Sequence, residues 1–388
     1  MKAGWTKVKF GEVVRLCKAR SSTPEADGIE RYVGLEHLEP EDLRIRNWGL
    51  VADGTTFTSR FKPGQVLFGK RRAYQRKVAV ADFEGVCSGD IYVLESADPK
   101  HLLPELLPFI CQTNRFFEYA VGTSAGSLSP RTNWNHLKNF ELFIPPIERQ
   151  EEIALKLQLI ESSIKSGKDA VHYSKIVNRS FLLNELPLIH KDKARWKIKK
   201  LGDFVCVIDP NPSHRYPDYV EDGVPLVATQ DFVGDNDFCF DSCRRVSEIV
   251  FEEQNKRCNF SENDVIFARK GILGLARMYG ISKKVFSHTV VILKPKNEMI
   301  LPRYILWLCR SDSLIAGIYR QMNSNSGVPT LGVKTIESLE FWLPSVEEQE
   351  RIIKHLDSVE RATALTSKRI HQNQRLKARF LNFEIDSV

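Results

Sequence analysis

One feature narrows what this chain can fold into: much of it is written twice. Trp5-Thr6-Lys7-Val8-Lys9-Phe10-Gly11-Glu12 returns 191 positions later as Trp196-Lys197-Ile198-Lys199-Lys200-Leu201-Gly202-Asp203. Tyr32-Val33-Gly34-Leu35-Glu36 resembles Leu226-Val227-Ala228-Thr229-Gln230. Phe61-Lys62-Pro63-Gly64-Gln65-Val66-Leu67-Phe68 resembles Phe260-Ser261-Glu262-Asn263-Asp264-Val265-Ile266-Phe267, now 199 positions apart. Leu103-Pro104 with Leu107 and Cys111 matches Leu301-Pro302 with Ile305 and Cys309. Pro145 and Gln150 match Pro344 and Gln349, again 199 apart. The matches keep their order along about half the chain, which chance similarity does not do, so the chain is read as a duplication.

The frame of each copy is a long run of helical pattern. Both runs follow a short apolar strand ending in proline, Phe143-Ile144-Pro145-Pro146 and Trp342-Leu343-Pro344. Both open on charged and amide residues, Glu148-Arg149-Gln150-Glu151-Glu152 and Glu347-Glu348-Gln349-Glu350-Arg351. Proline just before the start and glutamate in the first turn suit a helix N-terminus. Apolar residues then recur at spacings near three and four: Ile153, Leu157, Ile160, Ile164 and Val171 in the first, Ile352, Leu356, Val359, Ile370 and Phe380 in the second. That is the narrow seam of a helix packed on another helix. Gly167 on the first seam weighs against perfect continuity. The organisation expected is a first domain over 1–146, a helix over 147–184, a linker over 185–195, a second domain over 196–345 and a second helix over 346–388. Within each domain short β-branched and aromatic runs alternate with turn residues, Gln65 to Phe68, Lys77 to Val80 and Ile91 to Leu94 among them. A helical patch over 104–119 follows.

With 388 residues the chain has room for two or three domains, each with its own core. No apolar run approaches the roughly 20 residues needed to cross a bilayer, and the first residues carry no apolar signal segment. A cytoplasmic protein that does not enter membranes is the expectation. The eight cysteines are scattered among apolar neighbours and read as reduced thiols. Cys239, Cys243 and Cys258 lack the second close ligand pair of a metal site. The net charge of +7 permits an anionic partner without demanding one, so the placement of charge matters more than its sum.

That placement is repeated. Lys70-Arg71-Arg72-Ala73-Tyr74-Gln75-Arg76-Lys77 directly follows the strand ending at Phe68-Gly69, and Arg269 and Lys270, with Arg277 further on, follow the matching strand ending at Phe267-Ala268. Arginine and lysine contact phosphates, arginine grips guanine and glutamine grips adenine, so these segments, with Gln230, are candidates for nucleic-acid contact. A second pair of segments, Thr123 to Arg131 and Met322 to Thr330, is rich in serine, asparagine and glycine. Ser124, Ser127 and Arg131 in one, and Asn323, Asn325 and Ser326 in the other, suit a loop that approaches a surface closely. Trp134 suits either a base stack or a core, and its counterpart Val333 favours the core. No phosphate-binding loop is present. Asp209-Pro210-Asn211-Pro212 shares its first residues with the loop of amino-methyltransferases but lacks the Pro-Pro-aromatic sequence and any glycine-rich turn before it.

Taken together, the doubled Trp-x-x-x-x-[Phe/Leu]-Gly-[Glu/Asp] opening, the apolar strand followed by basic residues, and the doubled Pro-x-[Ile/Val]-Glu-x-Gln entry into a long helix resemble the specificity (S) subunit of a type I restriction-modification system. The resemblance spans nearly the whole chain. It implies an α+β protein: two similar strand-rich, mixed α/β target recognition domains joined by two long antiparallel helices that form a coiled coil. It implies a non-catalytic subunit that reads a bipartite, asymmetric site on double-stranded DNA, one domain per half-site. It also implies docking of two adenine-N6 methyltransferase (modification) subunits and two restriction subunits. S-adenosylmethionine, ATP and Mg would belong to those partners, with no cofactor bound by this chain. A helix of about 30 residues is about 45 Å long, enough to hold two readers roughly one DNA turn (about 34 Å) or more apart. The competing readings are a coiled-coil scaffold that binds only proteins, and a specificity subunit of a related methyltransferase-nuclease outside type I.

Overall fold

The computed structural model describes residues 4–186, 197–321 and 330–386. The expected linker from 187 onward, Trp196, and Asn323, Asn325 and Ser326 therefore lie outside the described residues. The chain forms two compact units, Met1–Lys168 with Ser367–Val388, and Asp169–Thr366.

The first unit is closed at its base by Thr6–Lys9, which pairs antiparallel with Glu141–Ile144, so the chain enters and leaves the domain side by side. The central sheet runs Val14–Leu16, Ile91–Ser96, Val66–Gly69, Val78–Val80, all antiparallel. All four residues of Val66–Gly69 are buried because both of its faces are covered. Val66 and Phe68 pack with Phe10, Phe116 and Phe117, and Leu67 packs on the other side with Leu38, Ile45 and Phe61, following the two-residue alternation of a strand. A second sheet runs Gly49–Leu50, Arg31–Val33, Gly85–Cys87, Ser59–Phe61, with its middle pair parallel. The expected helical patch is split into Leu107–Ile110 and Asn114–Gly122. Thr113 causes the break: its hydroxyl accepts from the Phe116 amide at 3.3 Å and caps a new helix.

The second unit repeats this plan. Lys197–Lys200 pairs with Glu340–Leu343. The central sheet runs Val205–Ile208, Val290–Pro295, Val265–Ala268, Ala276–Met278. The companion sheet again holds one parallel pair, Val224–Val227 with Val285–Phe286. Ser311 takes the capping position of Thr113, accepting from the Leu314 amide at 3.3 Å. The doubled glycine of the opening motif also acquires a reason. A Cβ on Gly11 would lie 2.7 Å from Cβ of Lys138, and one on Gly202 would lie 2.8 Å from Cβ of Glu337. No other residue lets the backbone approach that turn so closely.

The two long helices are Ile147–Glu185, 39 residues, and Val346–Leu381, 36 residues. Gly167 does not interrupt the first. Each unit holds one end of both helices, running antiparallel. In the first unit Arg149 bonds Glu384, Lys377 bonds Glu161 and Asn373 bonds Ser163, so the numbers rise on one helix as they fall on the other. In the second unit Arg351 pairs with Glu185, and His355 stacks on Phe181 with centroids 3.9 Å apart. The seam residues Ile153, Leu157 and Ile164, and Ile352, Leu356 and Ile370, are buried.

Each long helix is fastened to its domain by one amide. Gln150, 1% exposed, accepts from the Leu103 amide at 2.8 Å and donates to the carbonyls of His101 and Pro145, each at 2.9 Å. Gln349, fully buried, makes the same three bonds with Leu301 (2.8 Å), Met299 (2.7 Å) and Pro344 (3.1 Å). The glutamine of the doubled Pro-x-x-Glu-x-Gln motif thus ties the helix start to two loops of the core. Gln150→Leu or Gln349→Leu keeps the volume but strands three backbone groups. We expect each to destabilise its unit by about 2–4 kcal/mol, read as a lowered denaturation midpoint.

Candidate nucleic-acid interface

The two candidate segments of each domain are neighbours in the folded unit. In the first unit Arg71 bridges to Arg131 across a strand-like pairing. The Thr132 amide donates to the Lys70 carbonyl at 2.8 Å, and the Arg72 amide to the Pro130 carbonyl at 2.7 Å. In the second unit Lys270 bridges to Thr330, and the Leu331 amide donates to the Arg269 carbonyl at 2.8 Å. The pairings correspond at the offset of 199, from 71 to 270 and from 131 to 330. The basic segment and the end of the polar segment therefore form one surface, built twice.

In the first unit a carboxylate organises that surface. Asp90 accepts from Arg131 Nε at 2.9 Å and from Arg71 Nη1 at 3.1 Å. Burial pushes the Asp90 carboxyl upward, but the hydrogen bonds and charges of Arg131 and Arg71 outweigh it and hold it below the ordinary aspartate value. Ser129 Oγ accepts from Arg71 Nε at 2.6 Å and Arg72 Nε at 3.2 Å. Lys70 is half-buried with its ammonium 4.6 Å from the centre of the Tyr92 ring, and burial depresses its pKa. Arg76 donates to the Gln112 carbonyl at 2.9 Å and lies 4.5 Å over the Phe117 ring. Lys77 donates to the Leu35 carbonyl at 2.7 Å. Arg72 and Arg76 both adopt left-handed backbone, φ 54° and 55°, at the two ends of the turn Ala73–Gln75. That turn presents Tyr74, 56% exposed, with Gln75 beside it. Ser127 is exposed, whereas Ser124 is turned inward to the Ala120 carbonyl at 2.7 Å. Trp134 packs against Phe10 and Tyr92, on the core side of its two readings.

The second unit departs from the expected contacts at two arginines. Arg277 is 4% exposed, donates to the carbonyls of Ala276 and Gly234, and lies 5.4 Å from the Phe232 ring. Burial lowers its pKa to about 10. It sits on the strand Ala276–Met278, beside the central strand, and holds structure together instead of reaching outward. Arg269 is 5% exposed, donating to the His288 carbonyl at 2.9 Å and to Asp209 at 2.6 Å. Lys270 is half-buried and Gln230 is exposed on the turn Thr229–Asp231.

Sequence reasoning did not place Asp90, His214 or His288 at this surface, and it read Ser129 only as part of the polar segment and Asp209 only as part of a methyltransferase-like loop. Asp90 hid because its counterpart in the repeat is Thr289. The backbone matches, with the amides of Lys70 and Arg269 donating to the carbonyls of Asp90 and Thr289, each at 3.0 Å, but the side chain does not.

A family model described as the type I restriction modification DNA specificity domain matches residues 2–171 and again 193–374. The chain belongs to this family. The two matched segments coincide with the two copies of the repeat, and the specificity domain is thus present twice. Among curated relatives, the type I restriction enzyme MjaVIII specificity subunit of Methanocaldococcus jannaschii is 18% identical, over 97% of this chain and 91% of its own length. The EcoDI specificity subunit of Escherichia coli is 26% identical over 40% of this chain, a match spanning 34% of that protein. The fold is shared with the type I restriction-modification S subunit from M. genitalium, at 14% identity, TM-score 0.65 and coverage of 97% of this chain and 95% of that one. It is also shared with a chain of a type I R-M complex, at 18% identity, TM-score 0.55 and coverage of 98% and 97%. Among the described residues no helix is long and apolar enough to cross a membrane.

The Asp90 clamp makes a pH prediction. Its folded-state pKa is depressed, so its contribution is fully present above about pH 4, the unfolded aspartate value, and is lost as pH falls through the lower folded value. Asp90→Asn should cost about 1–2 kcal/mol at neutral pH, and the difference from wild type should vanish in strong acid. Amide hydrogen exchange in the segments 70–77 and 124–132 should rise in the variant, and unchanged exchange there would remove the clamp from the argument.

Proposed function

We propose that this chain is the DNA-reading, non-catalytic subunit of a type I restriction-modification complex, and that each unit takes one half of a split, asymmetric site. The observation carrying this reading is the doubled surface: in both units basic residues after the central strand are bonded to the strand that ends the polar loop. Donors fixed this way suit phosphate and base contacts. In the first unit Arg71, Arg72, Tyr74, Gln75, Ser127 and Arg131 are the contacts proposed. In the second, Gln230 and Lys270 are, together with Asn323, Asn325 and Ser326. Arg76 and Lys77 position the loop, and Arg269 and Arg277 support it from within. Because the side chains of the two surfaces differ, the two half-sites differ.

The long helices are the proposed spacer between the two readers, so the DNA site is proposed to be two recognised patches with an unread gap. Their exposed apolar side chains, Leu155 and Leu159 in the first unit and Tyr173, Ile176, Val177 and Leu365 in the second, suit the docking of modification subunits, two in number, with two restriction subunits joining. The chain binds no cofactor of its own. S-adenosylmethionine, ATP and Mg serve the partner subunits, in the cytoplasm.

Salt-dependent DNA binding tests the reading. Arg71→Ala with Arg72→Ala should weaken binding to all sequences and flatten the logarithmic salt dependence by about 1–2 units. Gln75→Ala or Gln230→Ala should change sequence preference with little change in that slope. Binding by the wild-type chain that ignores ionic strength would favour a scaffold that contacts proteins only. Methyl transfer from labelled S-adenosylmethionine by the purified chain alone would overturn the non-catalytic assignment.

A further inference from the structure

The loop Asp209-Pro210-Asn211-Pro212-Ser213-His214 differs in sequence from the matching connection of the first unit, residues 17–30, and it folds back onto the second unit's candidate surface. Asp209 takes the buried guanidinium of Arg269 at 2.6 Å. Arg257 donates to the Pro210 carbonyl at 2.9 Å. Inside the loop Asn211 bonds the Arg215 carbonyl at 2.8 Å, and Ser213 bonds Asn211 at 3.0 Å. His214 stacks on His288 with ring centroids 5.1 Å apart, and Tyr216 meets the same ring edge-on at 5.5 Å. The His288 carbonyl in turn accepts from Arg269. The three rings therefore stand on the residue that directly precedes Lys270, the one bridged to Thr330. His214 keeps 56% of its side chain exposed and Tyr216 is 55% exposed, although both are held from behind.

We propose that His214 and Tyr216 read base edges in the half-site taken by the second unit. This rests on the function proposed above and assigns that unit's specificity to a loop outside the duplicated basic segment. His214 Nε2 faces Arg269 Nη2 at 3.2 Å. The same ring nitrogen lies 3.6 Å from Asp209 Oδ2, so the contacts within the unit fall at Nε2 and Nδ1 is the ring nitrogen left for a base. An Nδ1 donor suits the acceptor edge of a purine, guanine N7 and O6 above all. Tyr216 adds a phenol that donates or accepts and a flat apolar face. The first unit meets DNA with other chemistry, the Arg71–Asp90–Arg131 cluster, so one framework carries two unlike readers.

The test is selection of the full chain on randomised DNA duplexes, followed by sequencing of the bound pool. Wild type should recover two short blocks separated by a random gap. His214 has left-handed backbone, φ 56°, so His214→Gly removes the ring without straining the turn. His214→Gly and Tyr216→Ala should each relax one block by about tenfold or more in base discrimination, at a purine position for His214. The other block, the one altered by Gln75→Ala, should be retained and serves as the folding control. Two intact blocks in both variants, or loss of both blocks together, would overturn the assignment while leaving the proposed function standing. A wild-type pool without any split motif would instead sink the proposed function itself, and this inference with it.

Discussion

The rest of the structure hangs on a primary amide buried at the start of each long helix. A helix rich in charge and carrying only a narrow apolar seam has little intrinsic hold on a globular domain, since its stability comes mainly from packing. Gln150 and Gln349 supply that hold with three hydrogen bonds apiece, to loops before the domain helices and to the proline that ends the last strand. Their partners are backbone groups, whose positions are set by the core and not by any side-chain choice. The direction in which each helix leaves its unit is thereby fixed by the strand pairings Thr6–Lys9 with Glu141–Ile144 and Lys197–Lys200 with Glu340–Leu343. In the second unit Arg303, Trp307 and Arg310 add a second attachment, donating to Asp357 and Glu360 about two and three turns further along the helix.

The candidate surfaces follow from the same economy of fixed donors. Of the five charged side chains from Lys70 to Lys77, those at 70, 71, 76 and 77 are tied to the Tyr92 ring, Asp90, the Gln112 carbonyl and the Leu35 carbonyl, and Arg72 to Ser129. A mobile basic tail binds phosphate anywhere, whereas donors held by a carboxylate present one geometry. Asp90 lowers the net charge of the surface, and in exchange it holds two guanidinium groups in fixed orientations.

Much of this was legible in the sequence, and the exceptions have physical causes. The long helices showed through their seams, and the duplication showed through residues that the fold uses in the same way twice, the glutamines and the close-packed Gly11 and Gly202. The basic and polar segments showed as composition, but not that they touch, because that contact is a pairing between residues about 60 positions apart. Arg277 misled because a charge next to a strand pattern reads as exposed, while here the neighbouring Gly234 and Ala276 carbonyls and the Phe232 ring make a place for it inside. The split at Thr113 was hidden because helical spacing of apolar residues continues across a cap.

The two halves diverge where divergence costs the fold least. Framework positions recur because each answers a backbone demand: a turn too tight for a Cβ, a helix start needing a hydroxyl at Thr113 or Ser311, a strand buried on both faces. The carboxylate that steadies the site obeys no such demand, since any backbone that brings an oxygen to an arginine will serve. In the first unit it comes from Asp90, between two strands of the domain. In the second that position is Thr289, and Asp209 supplies the oxygen from a loop at the far side of the sheet, carrying His214 and Tyr216 with it. Moving the counter-charge from one loop to another therefore changes which side chains line the surface while the shared framework is kept, and so a duplicated domain acquires a second, unlike face.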